Sequence, residues 1–181
     1  FLVDPLDGTK EFIKKNGEFT VNIAFIDEGF TKIGIINAPA KNKIFFNDEE
    51  KSYVIEAKSK NEVSIQKAKQ IKVSDEKQKN LIATISRSHN EKETENYLEN
   101  YDIDKIKYIG SSYKFCLIAS GEAHIYPRMS PTCEWDTAAG HAILKTAGGN
   151  VTLLNGEELR YGFKENNFIN PYFIASNKKI I

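Results

Sequence analysis

The stretch DPLDGT occupies residues 4–9, directly after the apolar run FLV and directly before KEFIKK. Asp4 and Asp7 are two anionic side chains set close together, and they repel unless something positive sits between them. A divalent cation is the usual partner, because hard cations take carboxylate oxygens as ligands. Pro5 lacks an N–H and fixes its own φ, so strand pairing is expected to stop after Asp4. Gly8 permits a tight turn, and the free N–H groups of Gly8 and Thr9, at the start of a short helical pattern, suit a phosphate oxygen. Carboxylates for metal beside N–H donors for phosphate make a phosphoryl-transfer site. The plainer reading keeps Asp7-Gly8 as a turn, with Asp7 as a helix N-cap.

Spacing decides between two chemistries. In an extended strand residues i and i+2 share a face, whereas i and i+3 do not. Haloacid-dehalogenase-type phosphatases end a buried strand in D-x-D-G-T, whose first Asp is a covalent nucleophile. Here the motif is D-x-x-D-G-T. Its carboxylates must converge across a turn, which suits shared metal ions better than a nucleophile and its acid partner.

At 181 residues the chain is long enough for one generous domain or two small ones. Lysine plus arginine equals aspartate plus glutamate, 25 each, so no bulk charge argues for nucleic acid or an anionic membrane. Cys116 and Cys133 make no disulfide framework and have no metal-type spacing, and they read as reduced thiols in a cytoplasmic protein. No apolar run is long enough to span a bilayer, and no signal peptide is visible. Residue 1 is Phe, and FLVD looks like the second half of a buried strand. The chain is therefore expected to begin inside a domain, with part of its fold and site upstream.

FTVNIAFID and FTKIGIINAP, separated by EG, predict a hairpin, and KIFFN and KSYVIEA continue an antiparallel pattern. Residues 58–79 read as a polar connector with one short strand. From Asn80 on, strands (LIATISR, KIKYIG, EAHIYPR, NVTLL, YFIAS) alternate with helices (EKETENYLENY, SSYKFCLIASG, EWDTAAGHAILKTAGG). That alternation predicts an α/β sheet with mostly parallel strands. The expected organisation is the end of an α+β domain over 1–75, followed by an α/β domain over 76–181, with a cleft between them.

In EWDTAAGHAILKTAGG, Trp135, Ala138, Ala139, Ala142, Ile143 and Ala147 form an apolar helix face. Asp136 lies off that stripe in the first turn, where the helix dipole favours a carboxylate. Gly140, one turn later, is expected to leave space above that carboxylate for a ligand.

DPLDGTKEFI and, about 130 residues later, MSPTCEWDTAAGH resemble the two signature motifs of the inositol monophosphatase superfamily of Mg²⁺-dependent, lithium-sensitive phosphatases. Within it DGTKEFIKKNGEFTVNIAFI, SRSH at 86–89, GSSYKFCLIASGEAHIYPR at 110–128 and PTCEWDTAAGH are most similar to the CysQ-type 3′(2′),5′-bisphosphate nucleotidases. The resemblance spans essentially the whole chain and implies a layered α-β-α-β-α sandwich. It implies Asp4, Asp7 and Asp136 as metal-binding carboxylates and the Leu6 carbonyl as a further ligand. Gly8 and Thr9 are implied to hold the scissile phosphate, with the Thr9 hydroxyl orienting a metal-bound water that attacks phosphorus. His89, Ser111, Lys114 and Arg128 fall on nucleotide-binding positions. A further acidic ligand that the family draws from upstream sequence is not in this chain.

The implied activity is hydrolysis of the 3′-phosphate of adenosine 3′,5′-bisphosphate, giving AMP and phosphate, as part of sulfur metabolism. A second phosphate on the substrate needs cations away from the metals, and Lys114 and Arg128 are the candidates. Without the resemblance they read as a solvated pair. The alternatives are an inositol- or sugar-phosphate phosphatase, and an inactive piece that only binds metal or nucleotide. His124 and His141 are expected to be structural, Cys116 to pack in the core, and Cys133 to lie near the site without a chemical role. The expected partner is a small nucleotide. Peripheral association with the inner membrane occurs in the subgroup, but no segment here argues for it.

Overall fold

The computed structural model describes residues 1–75, 79–87, 92–178 and 180. The first half is a six-stranded antiparallel sheet of β1 (Leu2–Asp7), β2 (Thr20–Asp27), β3 (Phe30–Ala38), β4 (Lys43–Asn47), β5 (Ser52–Glu56) and β6 (Lys69–Ile71), in that order. A short helix, α1 (Thr9–Ile13), follows β1. The EG dipeptide makes the expected hairpin. Glu28 and Gly29 both have positive φ, and Asp27 pairs with Phe30, so the two-residue turn matches the twist of β2 and β3.

The second half contains β7 (Leu81–Ser86), α2 (Lys92–Leu98), β8 (Ile103–Ile109), α3 (Tyr113–Ala119), β9 (Ile125–Arg128), α4 (Glu134–Thr146), β10 (Gly149–Leu153) and β11 (Phe173–Asn177). Its sheet runs β10-β11-β9-β7-β8. The expectation of mostly parallel strands holds only for β8, β7 and β9. β11 is antiparallel to β9 and β10 is antiparallel to β11. The chain leaves β10 through a loop, not a crossover helix, so β11 returns in the opposite direction.

Helices α3 and α4 lie between the two sheets, α4 against β1–β3 and β10, and α3 against β9 and β11. The main core fills this layer with Phe45, Phe115, Tyr126, Ile143, Leu144 and Phe173. A second cluster around Leu81, Ile85, Leu98, Ile125 and Ile174 seats α2 on the far face of the second sheet. The result is an α/β layered sandwich. On the outer face of the first sheet Ile23, Phe25 and Ile35 are each 40% exposed, and among the described residues no helix covers them. Among the described residues no helix is long and apolar enough to cross a membrane.

Two glycines set the spacing of the middle layer. A Cβ on Gly34 would lie 2.3 Å from the Ala139 carbonyl oxygen, so α4 presses its backbone onto β3. A Cβ on Gly140 would lie 2.4 Å from Phe115 Cγ. Gly140 therefore admits α3, and the ligand space expected above Asp136 is taken by the Phe115 ring.

Candidate active site

Pro5 does not end the strand, as the sequence reading expected; it opens a bulge within it. Asp4 pairs with Asn22 and Asp7 with Thr20, so two residues of β1, Pro5 and Leu6, oppose the single Val21 of β2. The extra residue converts the i, i+3 spacing into an effective i, i+2 and turns both aspartates toward one face. Asn22 and Thr20, opposite them, are inward-facing and buried. Gly8 follows in the left-handed region (φ 85°), and a Cβ there would sit 3.1 Å from the Glu18 carbonyl oxygen and 3.2 Å from Ser111 Cβ. Only glycine fits this turn without strain.

Asp136 arrives from the first turn of α4. Its carboxylate accepts the Cys133 N–H at 2.8 Å in a capping box, which answers one of the free amides at the helix start. Cys133 is thus the N-cap residue, and Cys116 is fully buried in the core as expected. Carboxylate oxygens of Asp4, Asp7 and Asp136 all lie within 4.8 Å of one another.

Asp7 accepts the Ser112 N–H at 2.5 Å, Asn22 Nδ2–H at 3.2 Å and the Thr20 hydroxyl at 3.4 Å. Burial still raises its pKa above the ordinary carboxylate value, with Asp4 adding to the rise; the Lys114 ammonium and the Ser112 N–H oppose it. Burial first, then the charges of Asp7 and Asp4, push the Asp136 carboxyl up to about 7. An all-carboxylate cluster that raises its own proton affinity fits a hard divalent cation, whose charge would relieve the repulsion.

A cavity of about 250 Å³ adjoins the cluster and is lined by Asp7, Gly8, Thr9, Ser111, Lys114, Arg128 and Asp136 among others. It brings Asp7, Gly8, Thr9 and Asp136 together with Ser111, Lys114 and Arg128, while Asp4 and Leu6 are not in its lining. Thr9 is exposed, and its hydroxyl donates to the Leu6 carbonyl at 3.4 Å. Ser111 holds a left-handed backbone (φ 55°). Lys114 and Arg128 are not a solvated pair, being only 5% and 4% exposed. The Lys114 ammonium donates to the carbonyls of Ser111 (2.7 Å) and Ile109 (3.3 Å) and lies 4.9 Å from the Tyr126 ring centre. Arg128 donates to the carbonyls of Ser130 (3.2 Å) and Pro131 (3.3 Å). His89 lies outside the described residues. His124 Nδ1 accepts the Ile82 N–H at 2.8 Å, and His141 is buried against the Tyr161 hydroxyl, so both are structural.

Sequence reasoning missed Thr20, Asn22 and Ser112. Ser112 Oγ donates to Asn22 Oδ1 at 2.7 Å and lies 2.8 Å from Thr20 Oγ1, a buried polar knot behind Asp7. The available signal was FTVNIAF, in which two polar side chains two residues apart interrupt an apolar strand and so share a face.

The inositol monophosphatase family matches residues 1–180. The 3′(2′),5′-bisphosphate nucleotidase CysQ of Escherichia coli is 47% identical over 176 residues, covering 97% of this chain and 67% of that protein. The crystal structure of CysQ from Bacteroides thetaiotaomicron superposes with a TM-score of 0.85 at 40% identity, over 97% of this chain and 69% of that one. A Thermotoga maritima IMPase gives 0.78 at 25% identity, over 98% and 63%. This chain thus spans about two thirds of the length of the relatives it matches. On its paired motifs, its fold and these matches, the chain belongs to the inositol monophosphatase family.

Proposed function

We propose that this chain carries the metal and nucleotide site of a 3′(2′),5′-bisphosphate nucleotidase, a phosphomonoesterase that removes the 3′-phosphate of adenosine 3′,5′-bisphosphate using Mg²⁺. The observation that carries the reading is one cavity lined by Asp7, Asp136, the Gly8–Thr9 turn and two buried cations, Lys114 and Arg128, with Asp4 completing the adjoining carboxylate cluster. The nucleotidase relatives support the substrate class.

Asp4, Asp7 and Asp136 are the residues to hold the ion, with the Leu6 carbonyl beside them. When bound, such an ion stabilises charge on phosphoryl oxygens and lowers the pKa of water. The amides of Gly8 and Thr9 bind the phosphate that is cleaved, and the exposed Thr9 hydroxyl orients the attacking water. Lys114 and Arg128 recognise the second phosphate chiefly as fixed positive charge, since backbone carbonyls already take several of their N–H groups. Ser111 presents its left-handed turn to the same cavity. Residues 1–75 and 76–181 are proposed to be parts of two domains that meet at this cavity. The setting is proposed to be the cytoplasm, in keeping with the free thiols of Cys116 and Cys133.

The test is phosphate release by the full natural gene product containing this chain, from adenosine 3′,5′-bisphosphate and from inositol 1-phosphate, each with Mg²⁺ and with Mg²⁺ plus Li⁺. Lithium-sensitive release from the nucleotide alone is expected. Release mainly from inositol phosphate overturns the roles of Lys114 and Arg128 but keeps the metal site, and no release from either overturns the activity.

A further inference from the structure

Glu18 lies between α1 and β2, outside the two signature motifs, yet it touches both glycine turns of the site. Its backbone oxygen packs on Gly8, 3.1 Å from where a Cβ would stand. Its carboxylate accepts the Gly110 N–H at 2.9 Å. The same carboxylate is gripped by the Arg87 guanidinium, with Nε at 2.9 Å and Nη2 at 2.8 Å, and Arg87 also donates to the Tyr108 carbonyl. Arg87 and Gly110 follow the parallel strands β7 and β8, so Glu18 reaches from the first sheet to the ends of two strands of the second.

Burial disfavours its charge, but the Arg87 fork and the Gly110 N–H outweigh it and hold the Glu18 carboxyl below its usual range. Its side chain is only 11% exposed. The space a Cβ would take at Gly110 is filled by Glu11, whose Cγ would lie 2.3 Å from it. Gly110 is therefore held by two side chains of the first sheet's α1–β2 segment. Two residues further on, Ser112 gives its N–H to Asp7, and between them the Ser111 carbonyl receives Lys114.

We infer that Glu18 is a positioning residue: by seating Gly110 it fixes the 110–112 turn that delivers the Ser112 N–H to Asp7 and the Ser111 carbonyl to Lys114. It touches neither cluster carboxylates nor the cavity itself, so its effect is indirect. The inference rests on the reading of the three aspartates as a cation site. Residues that orient metal ligands change metal affinity or activity by about 10–100-fold when replaced.

The test uses the full gene product and its Glu18→Ala and Glu18→Gln variants, with Mg²⁺ and Mn²⁺ affinity measured by titration calorimetry. Hydrogen exchange at the Ser112 amide is measured without metal, and melting temperature controls for folding. Glu18→Ala is expected to weaken ion affinity by about tenfold and to speed Ser112 exchange. Glu18→Gln, which keeps an acceptor for Gly110, is expected to fall between it and the wild type, and it carries the test if the alanine variant does not fold. A lower melting temperature with unchanged ion affinity makes Glu18 merely structural and overturns the inference. If the wild type binds neither ion, the cation reading fails, and exchange alone decides: unchanged protection at Ser112 overturns the inference, and faster exchange upholds it.

Discussion

Asp4, Asp7 and Asp136 crowd three carboxylates within 4.8 Å, and burial and mutual repulsion raise the proton affinity of Asp7 and Asp136. Lys114 and Arg128 line the same cavity and are more deeply buried, and their donors meet backbone carbonyls of residues 109, 111, 130 and 131. The carboxylate cluster is electrostatically unsettled by itself, whereas the two cations are settled by the protein. On the proposed reading, the acidic cluster serves its ligand at the expense of stability, and the cations serve the fold as well as recognition.

The sharpest way to break this contrast is Asp136→Asn. It is expected to lower phosphate release by on the order of 10³-fold, because several kcal/mol of charge stabilisation go with the ion. The same change is expected to raise the metal-free melting temperature, and a lowered one would place Asp136 among ordinary structural carboxylates. Lys114→Met probes the buried cations. KM for adenosine 3′,5′-bisphosphate should rise about 10- to 100-fold, since hydrogen bonds to a charged group contribute about 1.5–3 kcal/mol. Unlike Asp136→Asn, it should also destabilise the protein, because the Ser111 and Ile109 carbonyls lose their donor.

Gly140→Ala separates packing from chemistry. The added methyl meets the Phe115 ring and is expected to cost about 1–3 kcal/mol in denaturant unfolding while leaving Mg²⁺ affinity unchanged. If ion affinity fell with stability intact, the ligand-space reading of Gly140 would return.

The smallest effect is in pH dependence. Asp7 and Asp136 have folded pKa values above their unfolded ones, so without metal the folded state holds extra protons. Stability therefore falls as pH rises from the ordinary carboxylate value through about 7. Glu18, and Glu158 held down to about 2 chiefly by His141 and then Lys145, work the other way: their contribution is present above the unfolded value and is lost as pH falls. Metal-free melting temperature should therefore decrease between about pH 5 and 8, and Mg²⁺ should add a few degrees more at pH 8 than at pH 5.5. An equal shift at both pH values would contradict proton–metal competition.

The sequence disclosed much of the acidic cluster because its determinants are local. DPLDGT holds two carboxylates, the proline of the bulge and the glycine of the turn within six residues, and EWDTAAG is a helix start. What it hid was the means of convergence, a bulge defined only against Thr20 and Asn22 on the neighbouring strand. The hairpin at Glu28-Gly29 was legible for the same local reason. Lys114 and Arg128 could be named, but not their burial or their carbonyl partners, which depend on how β8, α3 and β9 pack. The antiparallel return of β11 was illegible too, because strand–helix alternation does not record that β10 is followed by a loop.

The most direct test of the central claim is thermal melting of the wild type and Asp136→Asn at pH 8 while Mg²⁺ is titrated in. The wild type should start lower and climb with ion concentration, as binding to the folded state requires. The variant should start higher and stay flat. Parallel curves that climb together would show that the three aspartates do not form the cation site.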